Sequence, residues 1–437
     1  MGARETALTA LIACRKADAW SNGALKEYIR RDGLDRREAA LATRLCYGVV
    51  QNRLLLDFYL RQLLTGKVKA LHPGVRDILH LGLYQLYFMD KIPVSAAVNE
   101  SVALGKKYCK KLPAAPGLIN GVLRNADRLR QQLVQPKGYS EKYSHPQSLV
   151  DLLKENVGKE KLEAMLIANN SAPQTVVQVN TLRTDVNALQ ARLDAEGVHS
   201  EPHSWMEGAL VVSGTGSLEE LDSFREGLFY VQDPASRLSV LCAQIPGNAR
   251  VLDCCSAPGG KSFAAAMVLG GAGSITSCDI HPHKVPLIEK GAQRLGIDNI
   301  TAMEQDASQF IPDWEGKMDV VLADVPCSGY GIIRKKPDIR YKDPTAMEQL
   351  PQLQLAILRN QARYVKPGGV LLYSTCTVLK RENEAVVEEF LKENRDFAPE
   401  RLSLPAIFPE NTTGMLTLLP GEYETDGFFI CRLRRKL

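Results

Sequence analysis

The sequence lacks the cysteine and histidine spacings that commonly hold a structural metal. Its 437 residues include 10 cysteines and 7 histidines, but there is no C-x-x-C pair, no H-E-x-x-H motif and no Cys/His cluster. We therefore expect no metal site and interpret His281-Pro282-His283 as a loop. A chain of this length does not need disulfides for stability, so dispersed cysteines indicate a reducing, cytoplasmic compartment.

Long apolar segments are also scarce. The uncharged stretch at 262–278 is interrupted by Gly270, Gly271 and Gly273, and we expect no membrane span there. The N-terminus is charged from Arg4 onward and does not show the order of a signal peptide. With 45% apolar and 24% charged residues, the composition is that of an ordinary globular protein, and the length predicts about three domains.

Acidic residues are few in the first third of the chain. Residues 1–150 hold 24 Lys and Arg against 12 Asp and Glu, a net charge of +12, whereas residues 151–437 carry −8. The formal total of +4 conceals this division. Clustered Lys and Arg bind phosphates because they release counterions, so the first region is a candidate polyanion-binding module. Solvated helix faces are the alternative explanation of the charge.

Apolar residues in the first region recur every three or four positions, from Arg4 to about Arg130. This spacing predicts an all-helical domain of about five or six helices. The predicted helix boundaries lie at Gly23, Gly33, Gly66 and the turn 72–74.

The middle of the chain changes character twice. A polar connection is followed by one predicted helix from Ser148 to Asn169. Short alternating segments then predict a small α+β domain. Its expected strands lie at 174–180, 209–212 and 228–232, with a helix at 185–196.

From Arg250 onward, short apolar strands alternate with helical segments, which is typical of a parallel doubly wound α/β sheet. Ligands of such sheets bind outside the carboxyl ends of the strands. Four acidic residues stand at or near predicted strand ends: Asp253, Asp279, Asp306 and Asp324. One aspartate there would be ordinary, but several indicate a ligand site.

The turn after the first of these strands, 255–262, resembles a phosphate-binding P-loop only at its end. That motif needs glycine where this chain has Cys255, and the dinucleotide motif G-x-G-x-x-G is absent as well. Asp279, 20 residues after Gly259, suits ribose hydroxyls. A nucleoside ligand without pyrophosphate fits best, so we expect S-adenosylmethionine. A tight turn without any ligand is the alternative.

Two cysteines follow the fourth and fifth predicted strands, Cys327 within 324–329 and Cys376 within 374–377. Adjacent strand ends would bring both thiols to one cleft. Pyrimidine C5 becomes nucleophilic enough for methylation when a thiolate adds to C6, and a base must later remove the C5 proton so that the thiolate can leave. One thiol could attack and the other assist release, while Asp324, if protonated or sharing a proton with N3 of the base, could stabilise charge on the ring. These residues do not rank the two cysteines, and inert buried thiols are the alternative.

Several motifs together resemble the NOL1/NOP2/Sun family of RNA (cytosine-5) methyltransferases. They lie at 253–261, 324–329 with Gly331, 374–377, 382–384, 232–236, 336–340 and 426–429. The N-terminal region resembles NusB-like RNA-binding helical domains through 98–102, the lysines that follow and 119–125. The resemblance covers essentially the whole chain. It implies a NusB-like domain at 1–140, a helical linker at 141–170, a small α+β domain at 171–235 and a Rossmann-like class I methyltransferase domain at 236–437.

The resemblance also implies roles for individual residues. Cys376 takes the role of nucleophile, Cys327 assists product release, and Asp324 is the third catalytic residue. Contacts with S-adenosylmethionine are implied for Cys255, Ser256, Ala257, Pro258, Gly259, Gly260, Lys261, Asp279, Asp306 and Asp324. Departures from the family pattern, Ser256, Ser262 and Tyr341, remove no chemical group that this mechanism needs.

The expected substrate is a specific cytosine of 16S ribosomal RNA, flipped out of its helix or presented on a single strand. Basic residues after the Cys327 loop are candidates to guide the RNA backbone, with a solvated loop as the alternative: Arg334, Lys335, Lys336 and Arg340. We expect a monomeric enzyme. A tRNA cytosine-5 methyltransferase stays open, although the NusB-like domain favours ribosomal RNA. A noncatalytic RNA-binding or assembly factor also stays open, although the intact catalytic residues argue against it.

Overall fold

The computed structural model describes residues 1–17 and 21–437. The chain forms two compact units, each built from two stretches of sequence. The helical unit comprises residues 1–171 and 333–342, and the sheet unit comprises residues 172–332 and 343–437. None of the helices in the described stretches is long and apolar enough to cross a bilayer.

Within the described residues 1–17 and 21–130, the helical unit contains six α-helices, in agreement with the five or six that the apolar spacing predicts. They are α1 (Ala3–Ala17), α2 (Ser21–Asp32), α3 (Arg36–Leu63), α4 (Pro73–Phe88), α5 (Val94–Tyr108) and α6 (Ala115–Arg128). Gly33, with a φ of 61°, follows α2 as expected. The predicted boundary at Gly23 is wrong, because this residue lies inside α2.

The core of the helical unit follows from the spacing of apolar residues on α3. Leu45, Val49, Leu56 and Leu60 are buried and pack in one cluster with Ile78 of α4. Each fully buried leucine contributes roughly 1.5–3 kcal/mol relative to an exposed one. This burial, rather than helix propensity, fixes the bundle.

The helix predicted from Ser148 to Asn169 is two helices. Following the short α7 (Tyr139–Lys142), the chain forms α8 (Gln147–Val157) and α9 (Lys159–Ala168). Gly158 separates them with a φ of 83°, a left-handed conformation that ends an α-helix. Apolar residues recur at helical spacing both before and after Gly158, so the sequence pattern alone does not show the break.

The segment 333–342 packs within the helical unit, although residues 172–332 separate it in sequence from the rest of that unit. Arg340 is buried and donates hydrogen bonds to the carbonyl oxygen of Gln51 (2.9 Å) and to Oδ1 of Asn170 (2.8 Å). Arg334 is buried too, whereas Lys336 is exposed. The interpretation of Arg340 as a guide for RNA is therefore wrong, because its guanidinium group serves the fold.

The sheet unit begins with a small antiparallel sheet in the order β2-β3-β1-β4. Its elements are β1 (Thr175–Val179), α10 (Val186–Ala195), β2 (His199–Pro202), β3 (Ala209–Ser213), α11 (Asp222–Arg225) and β4 (Phe229–Val231). The predicted strands and helix are confirmed. Sequence patterning misses β2, because only one of its four residues is buried.

A larger sheet follows, in the order β10-β12-β9-β8-β5-β6-β7, with β11 paired to β12. Its strands are β5 (Arg250–Asp253), β6 (Ser274–Asp279), β7 (Ile300–Glu304), β8 (Met318–Asp324), β9 (Val365–Thr375), β10 (Phe397–Pro399), β11 (Met415–Leu418) and β12 (Phe428–Arg435). The accompanying helices are α12 (Pro234–Cys242), α13 (Gly260–Leu269), α14 (Val285–Leu295), α15 (Leu350–Ala362) and α16 (Glu384–Glu393).

Strands β5 to β9 pair in parallel, which confirms the predicted α/β arrangement. The sheet as a whole is mixed, because β12 runs antiparallel to β9, β10 and β11. Strands β5 and β8 are neighbours, and so are β8 and β9. Their carboxyl ends therefore lie side by side at one edge of the sheet.

Candidate active site

A cavity opens beside the carboxyl ends of β5 and β8. Most of the predicted cofactor-binding turn lines it, together with the carboxylate that ends β8. The lining residues are Val231, Gln232, Ser236, Cys255, Ser256, Ala257, Pro258, Gly260, Lys261 and Asp324. The predicted turn and the predicted catalytic aspartate thus meet in one place.

Local hydrogen bonds and two glycines shape this turn. The backbone N–H and the hydroxyl of Ser256 both donate to the carbonyl oxygen of Cys278, at 2.8 and 3.0 Å. Gly259 adopts a φ of 109°, and a Cβ there would come within 2.4 Å of the Phe263 ring. Gly260 then begins α13. The hydroxyl of Ser256 is consequently engaged with β6 and does not perturb the turn.

Lys261 and Asp324 form an ion pair at the cavity wall, with Nζ 2.7 Å from Oδ2. Lys261 also donates to the Ser236 hydroxyl at 3.0 Å, and Ser374 donates to the other oxygen of Asp324 at 2.8 Å. Burial alone would lower the pKa of Lys261, but the neighbouring Asp324 outweighs it and raises the pKa. The lysine therefore stays charged and holds Asp324 in a fixed orientation.

The two predicted catalytic thiols lie in contact. Sγ of Cys327 is 3.1 Å from Sγ of Cys376, and both side chains are partly exposed. The hydrogen bond with Cys376 and burial raise the pKa of Cys327 well above its ordinary value, and the nearby carboxyl groups of Glu382 and Asp324 add to this effect. Either sulfur can be the donor of the hydrogen bond between the two thiols, and the raised pKa favours the protonated form of Cys327 in the free protein.

Close backbone contacts fix the loops that carry these thiols. The N–H of Gly331 donates to the carbonyl oxygen of Cys376 at 3.0 Å. A Cβ on Gly331 would approach that oxygen to 2.8 Å and the carbonyl oxygen of Gly427 to 2.1 Å. The hydroxyls of Ser328 and Thr377 are also hydrogen-bonded, at 2.8 Å. The glycine is required because three backbone segments converge there.

Asp253 lies behind the turn, fully buried at the end of β5. Its Oδ2 accepts a hydrogen bond from Ser262 at 2.7 Å, whereas its Oδ1 has no hydrogen-bond partner among the described residues. Burial raises the pKa of Asp253 to about 7. The carboxyl group supports α13 from below and does not line the cavity.

Three predicted cofactor contacts lie outside the lining of the cavity: Gly259, Asp279 and Asp306. Asp279 ends β6, the strand beside β5, and accepts from the N–H of His281 at 3.0 Å. Asp306 is turned onto its own loop, where it accepts from the N–H and the hydroxyl of Ser308. The described residues include no group of three His, Cys, Asp or Glu side chains arranged to hold a metal ion.

Three residues of the cavity are not among the predicted contacts: Val231, Gln232 and Ser236. Gln232 follows β4 and donates to the Ser236 hydroxyl at 3.2 Å, and its Oε1 lacks a partner within residues 1–17 and 21–437. The motif 232–236 was the available signal. Its role could not be inferred, because the strand that presents it belongs to the small sheet.

Comparison with known families divides the chain into three matched regions. Residues 241–434 match the family described as 16S rRNA methyltransferase RsmB/F. Residues 1–128 match the NusB family, and residues 145–219 match a ferredoxin-like domain of RsmF/B-like methyltransferases. The predicted fold class is confirmed: an all-α NusB-like domain, a small α+β domain and a Rossmann-like methyltransferase domain.

Full-length relatives and solved structures agree. The chain is 37% identical to "Probable ribosomal RNA small subunit methyltransferase B" of Bacillus subtilis (strain 168), covering 99% of this chain and 98% of the relative. Identity is 32% to ribosomal RNA small subunit methyltransferase B of Vibrio cholerae serotype O1, covering 92% and 90%.

Among solved structures, PH0851 has a TM-score of 0.82 and 25% identity over 98% of both chains. The structure of NSun6 from Pyrococcus horikoshii with SFG shares the fold at a TM-score of 0.60 and 21% identity, covering 66% of this chain and 98% of that one. Identity above 30% over nearly the whole length is decisive, and the chain belongs to the ribosomal RNA small subunit methyltransferase B family.

Proposed function

We propose that this chain transfers a methyl group from S-adenosylmethionine to C5 of a cytosine in 16S ribosomal RNA. The observation that carries the proposal is the 3.1 Å separation of the Cys327 and Cys376 thiols, beside the strand that ends in Asp324. Two thiols in contact suit a reaction in which one sulfur bonds to the base and another group assists its departure.

The cavity fits a nucleoside cofactor on two observations. Its turn is a glycine cradle, in which a Cβ on Gly260 would approach Nε2 of Gln232 to 3.4 Å. The buried Oε1 of Gln232, an acceptor at the cavity wall, is left without a partner in the described chain. When bound, S-adenosylmethionine supplies the electrophilic methyl group. Cys255 to Pro258, Gly260, Lys261 and Gln232 would hold it, with Asp279 and Asp306 completing the ribose side.

The cysteines divide the work according to their surroundings. Cys376 adds to C6 as a thiolate, which makes C5 nucleophilic. After methyl transfer Cys327, as a thiolate, accepts the C5 proton, and the electron pair of that C–H bond re-forms the C5–C6 double bond as the bond between Cys376 and C6 breaks. The pKa of Cys327 is raised by the hydrogen bond with Cys376 and by burial, so Cys327 must lose its proton to solvent before it can act as this base. Asp324, held by Lys261 and Ser374, would share a proton with N3 of the base, and this proton stabilises the negative charge that develops on the ring.

Methyl transfer from radiolabelled cofactor to unmodified 16S RNA tests the activity directly. We expect label on cytosine, and bisulfite sequencing of RNA from cells with and without the protein locates the nucleotide. Cys376→Ala should lower the rate by about 10³-fold or more, because the covalent route is lost. Cys14→Ala, in the helical unit, is the matched control and should keep full activity. A Cys376→Ala protein with normal turnover would refute the assigned nucleophile.

Cys327→Ala should have a different result. It leaves the nucleophile in place but removes the release step, so a denaturation-resistant adduct between Cys376 and RNA should accumulate. The double variant should form none. A Cys327→Ala protein that methylates at the normal rate without adduct would contradict the release role.

The same assay separates the two other candidate functions. A tRNA enzyme would label unmodified tRNA in preference to 16S RNA when both are present. A noncatalytic assembly factor would bind RNA but transfer no methyl group, whichever RNA is offered. We expect labelling of 16S RNA alone.

A further inference from the structure

A short helical turn at Lys380–Glu382, followed by Asn383, contacts the loops of both proposed catalytic cysteines. Both Glu382 and Asn383 are fully buried. The hydroxyl of Tyr373 on β9 donates to the carbonyl oxygen of Glu382 at 2.6 Å, which ties the turn to the sheet. Neither residue lines the cavity, so contact with the cofactor does not explain them.

Glu382 holds the loop of Cys327. Its Oε2 accepts a hydrogen bond from the backbone N–H of Ser328 at 2.9 Å, at the residue directly after Cys327. The same oxygen accepts from Nε2 of Gln354 at 3.0 Å, and Gln354 also donates to the carbonyl oxygen of Pro326 at 2.9 Å. The residues on both sides of Cys327 are therefore fixed through one carboxyl oxygen.

Asn383 holds the loop of Cys376 in the same manner. Its Oδ1 accepts from the hydroxyl of Thr375 at 2.6 Å, and its Nδ2 donates to the carbonyl oxygen of Thr377 at 3.1 Å. These are the two residues that flank Cys376. Glu382 and Asn383 are consecutive residues of one short turn, and each is hydrogen-bonded to a different cysteine loop.

We propose that Glu382 and Asn383 are positioning residues that set the separation and orientation of the two thiols, an inference that rests on the proposed function. Misplacement of a reacting group by about 1 Å can cost about 10²-fold in rate, so a shared anchor for both loops has direct kinetic value. Glu382 acts through one oxygen as a hydrogen-bond acceptor, and its other oxygen lacks a partner in the described residues.

If Glu382 and Asn383 position the two thiols, substitutions at these two residues should have opposite effects on the amount of covalent adduct. Asn383→Ala loosens the nucleophile, so adduct formation and methyl transfer in a single turnover should both fall by about 10²-fold. Glu382→Ala loosens the loop of the releasing thiol, so adduct with Cys376 should accumulate as it does in Cys327→Ala. KM for RNA should stay within about twofold of the wild-type value in both. A general loss of packing would lower adduct and product together in both variants.

Conservative variants keep the test valid if an alanine variant fails to fold. Glu382→Gln retains an acceptor oxygen for Ser328 and Gln354 and should restore turnover to within about threefold of the wild type. Asn383→Asp retains the acceptor for Thr375 but loses the donor to Thr377, so its adduct yield should be intermediate. Glu384→Ala is the matched control, because Glu384 contacts Thr417 instead of either cysteine loop.

The outcomes separate this inference from the proposed function. If Cys327→Ala never traps RNA, the covalent mechanism itself fails. If it traps RNA while Glu382→Ala and Asn383→Ala shift adduct in the same direction, the positioning roles are wrong. The inference would also be overturned if Glu382→Gln were as inactive as a folded Glu382→Ala. In that case the charge of Glu382, and not its geometry as a hydrogen-bond acceptor, would matter.

Discussion

The helical unit and the sheet unit each bury an aspartate, Asp57 on α3 and Asp253 at the end of β5, but they surround it differently. Asp57 accepts hydrogen bonds from Nε of Arg76 and contacts Nε2 of His80, both at 2.9 Å. Asp253 accepts from the Ser262 hydroxyl and has no cation in hydrogen-bond contact among the described residues.

The pKa values of the two groups move in opposite directions. Burial alone would raise the pKa of Asp57, but the hydrogen bonds from His80 and Arg76 outweigh it and lower the pKa to about 2. For Asp253, burial dominates and raises the pKa to about 7. One aspartate is stabilised by its partners as a carboxylate, and the other is stabilised by its surroundings as a neutral acid.

The difference shows how each unit uses its polar groups. The helical unit neutralises a buried charge and gains stability from the pair. The sheet unit keeps incompletely satisfied polar atoms, among them oxygens of Gln232 at the cavity wall and of Asp253 and Glu382 outside it. Such atoms cost about 1–3 kcal/mol each, and proteins retain them mainly at functional sites.

Within this comparison, the largest expected effect comes from removing the ammonium group that contacts Asp324. Lys261→Met should lower the rate of methyl transfer by about 10²–10³-fold, because Asp324 loses the cation that orients it in the cleft. Hydrogen exchange of the helical unit should be unchanged. Lys317→Met, at an exposed position of the sheet unit, is the control. Equal activity of the two variants would show that the ion pair serves only the fold.

A second variant tests the helical side of the comparison. Asp57→Ala removes a carboxylate that is bonded to two neighbours, and we expect a loss of about 3 kcal/mol in the free energy of unfolding. Hydrogen exchange of peptides from α3 and α4 measures this loss without relying on a single transition for the whole chain. Asp77→Ala breaks the more exposed pair with Arg15 and should cost less than about 1 kcal/mol.

The pH dependence of this loss has a defined sign. Because the pKa of Asp57 is lowered from 3.8 to about 2 in the folded chain, its contribution is complete above about pH 4 and disappears as the pH falls toward 2. The difference between wild type and Asp57→Ala should therefore shrink in that window. A difference that stays constant from pH 5 to pH 2 would mean that Asp57 stabilises the unit by packing alone.

The comparison also explains which features the sequence could reveal. Cys327 and Cys376 were placed together correctly, because parallel strands bring their carboxyl ends to one edge and each cysteine follows such a strand. Arg340 was misinterpreted, because its partners include backbone carbonyls 171 to 289 positions away. Any residue has a backbone carbonyl, so no pattern in the sequence marks these partners.

The residues of the site also differ in whether their positions depend on local sequence or on distant partners. The turn 255–261 carries its own signature of glycines, whereas Gln232 reaches the cavity from a strand of another sheet. Asp306 is a predicted contact because of its place after a strand, and the hydrogen bonds from Ser308 to one of its carboxylate oxygens were not predicted from the sequence. Local chemistry is readable from the sequence, whereas competition between local and distant partners requires coordinates.

The smallest expected effect is at Asp253, where the comparison is sharpest. The pKa of Asp253 is raised from 3.8 to about 7 on folding. Below about pH 4 this shift does not affect the free energy of unfolding, and between about pH 4 and pH 7 it lowers the free energy of unfolding progressively. Asp253→Asn keeps an acceptor for Ser262 and cannot ionise. We compare the free energy of unfolding of this variant with that of the wild type. The difference in favour of the variant should be about 2 kcal/mol larger at pH 8 than at pH 5, since one pKa unit corresponds to about 1.4 kcal/mol. Hydrogen exchange of peptides from β5 and α13 at both pH values measures the gain. The contribution of Asp57 to stability, in contrast, is constant between pH 5 and pH 8. If the stability of Asp253→Asn relative to the wild type were the same at pH 5 and pH 8, the buried acid would already be ionised in the folded chain.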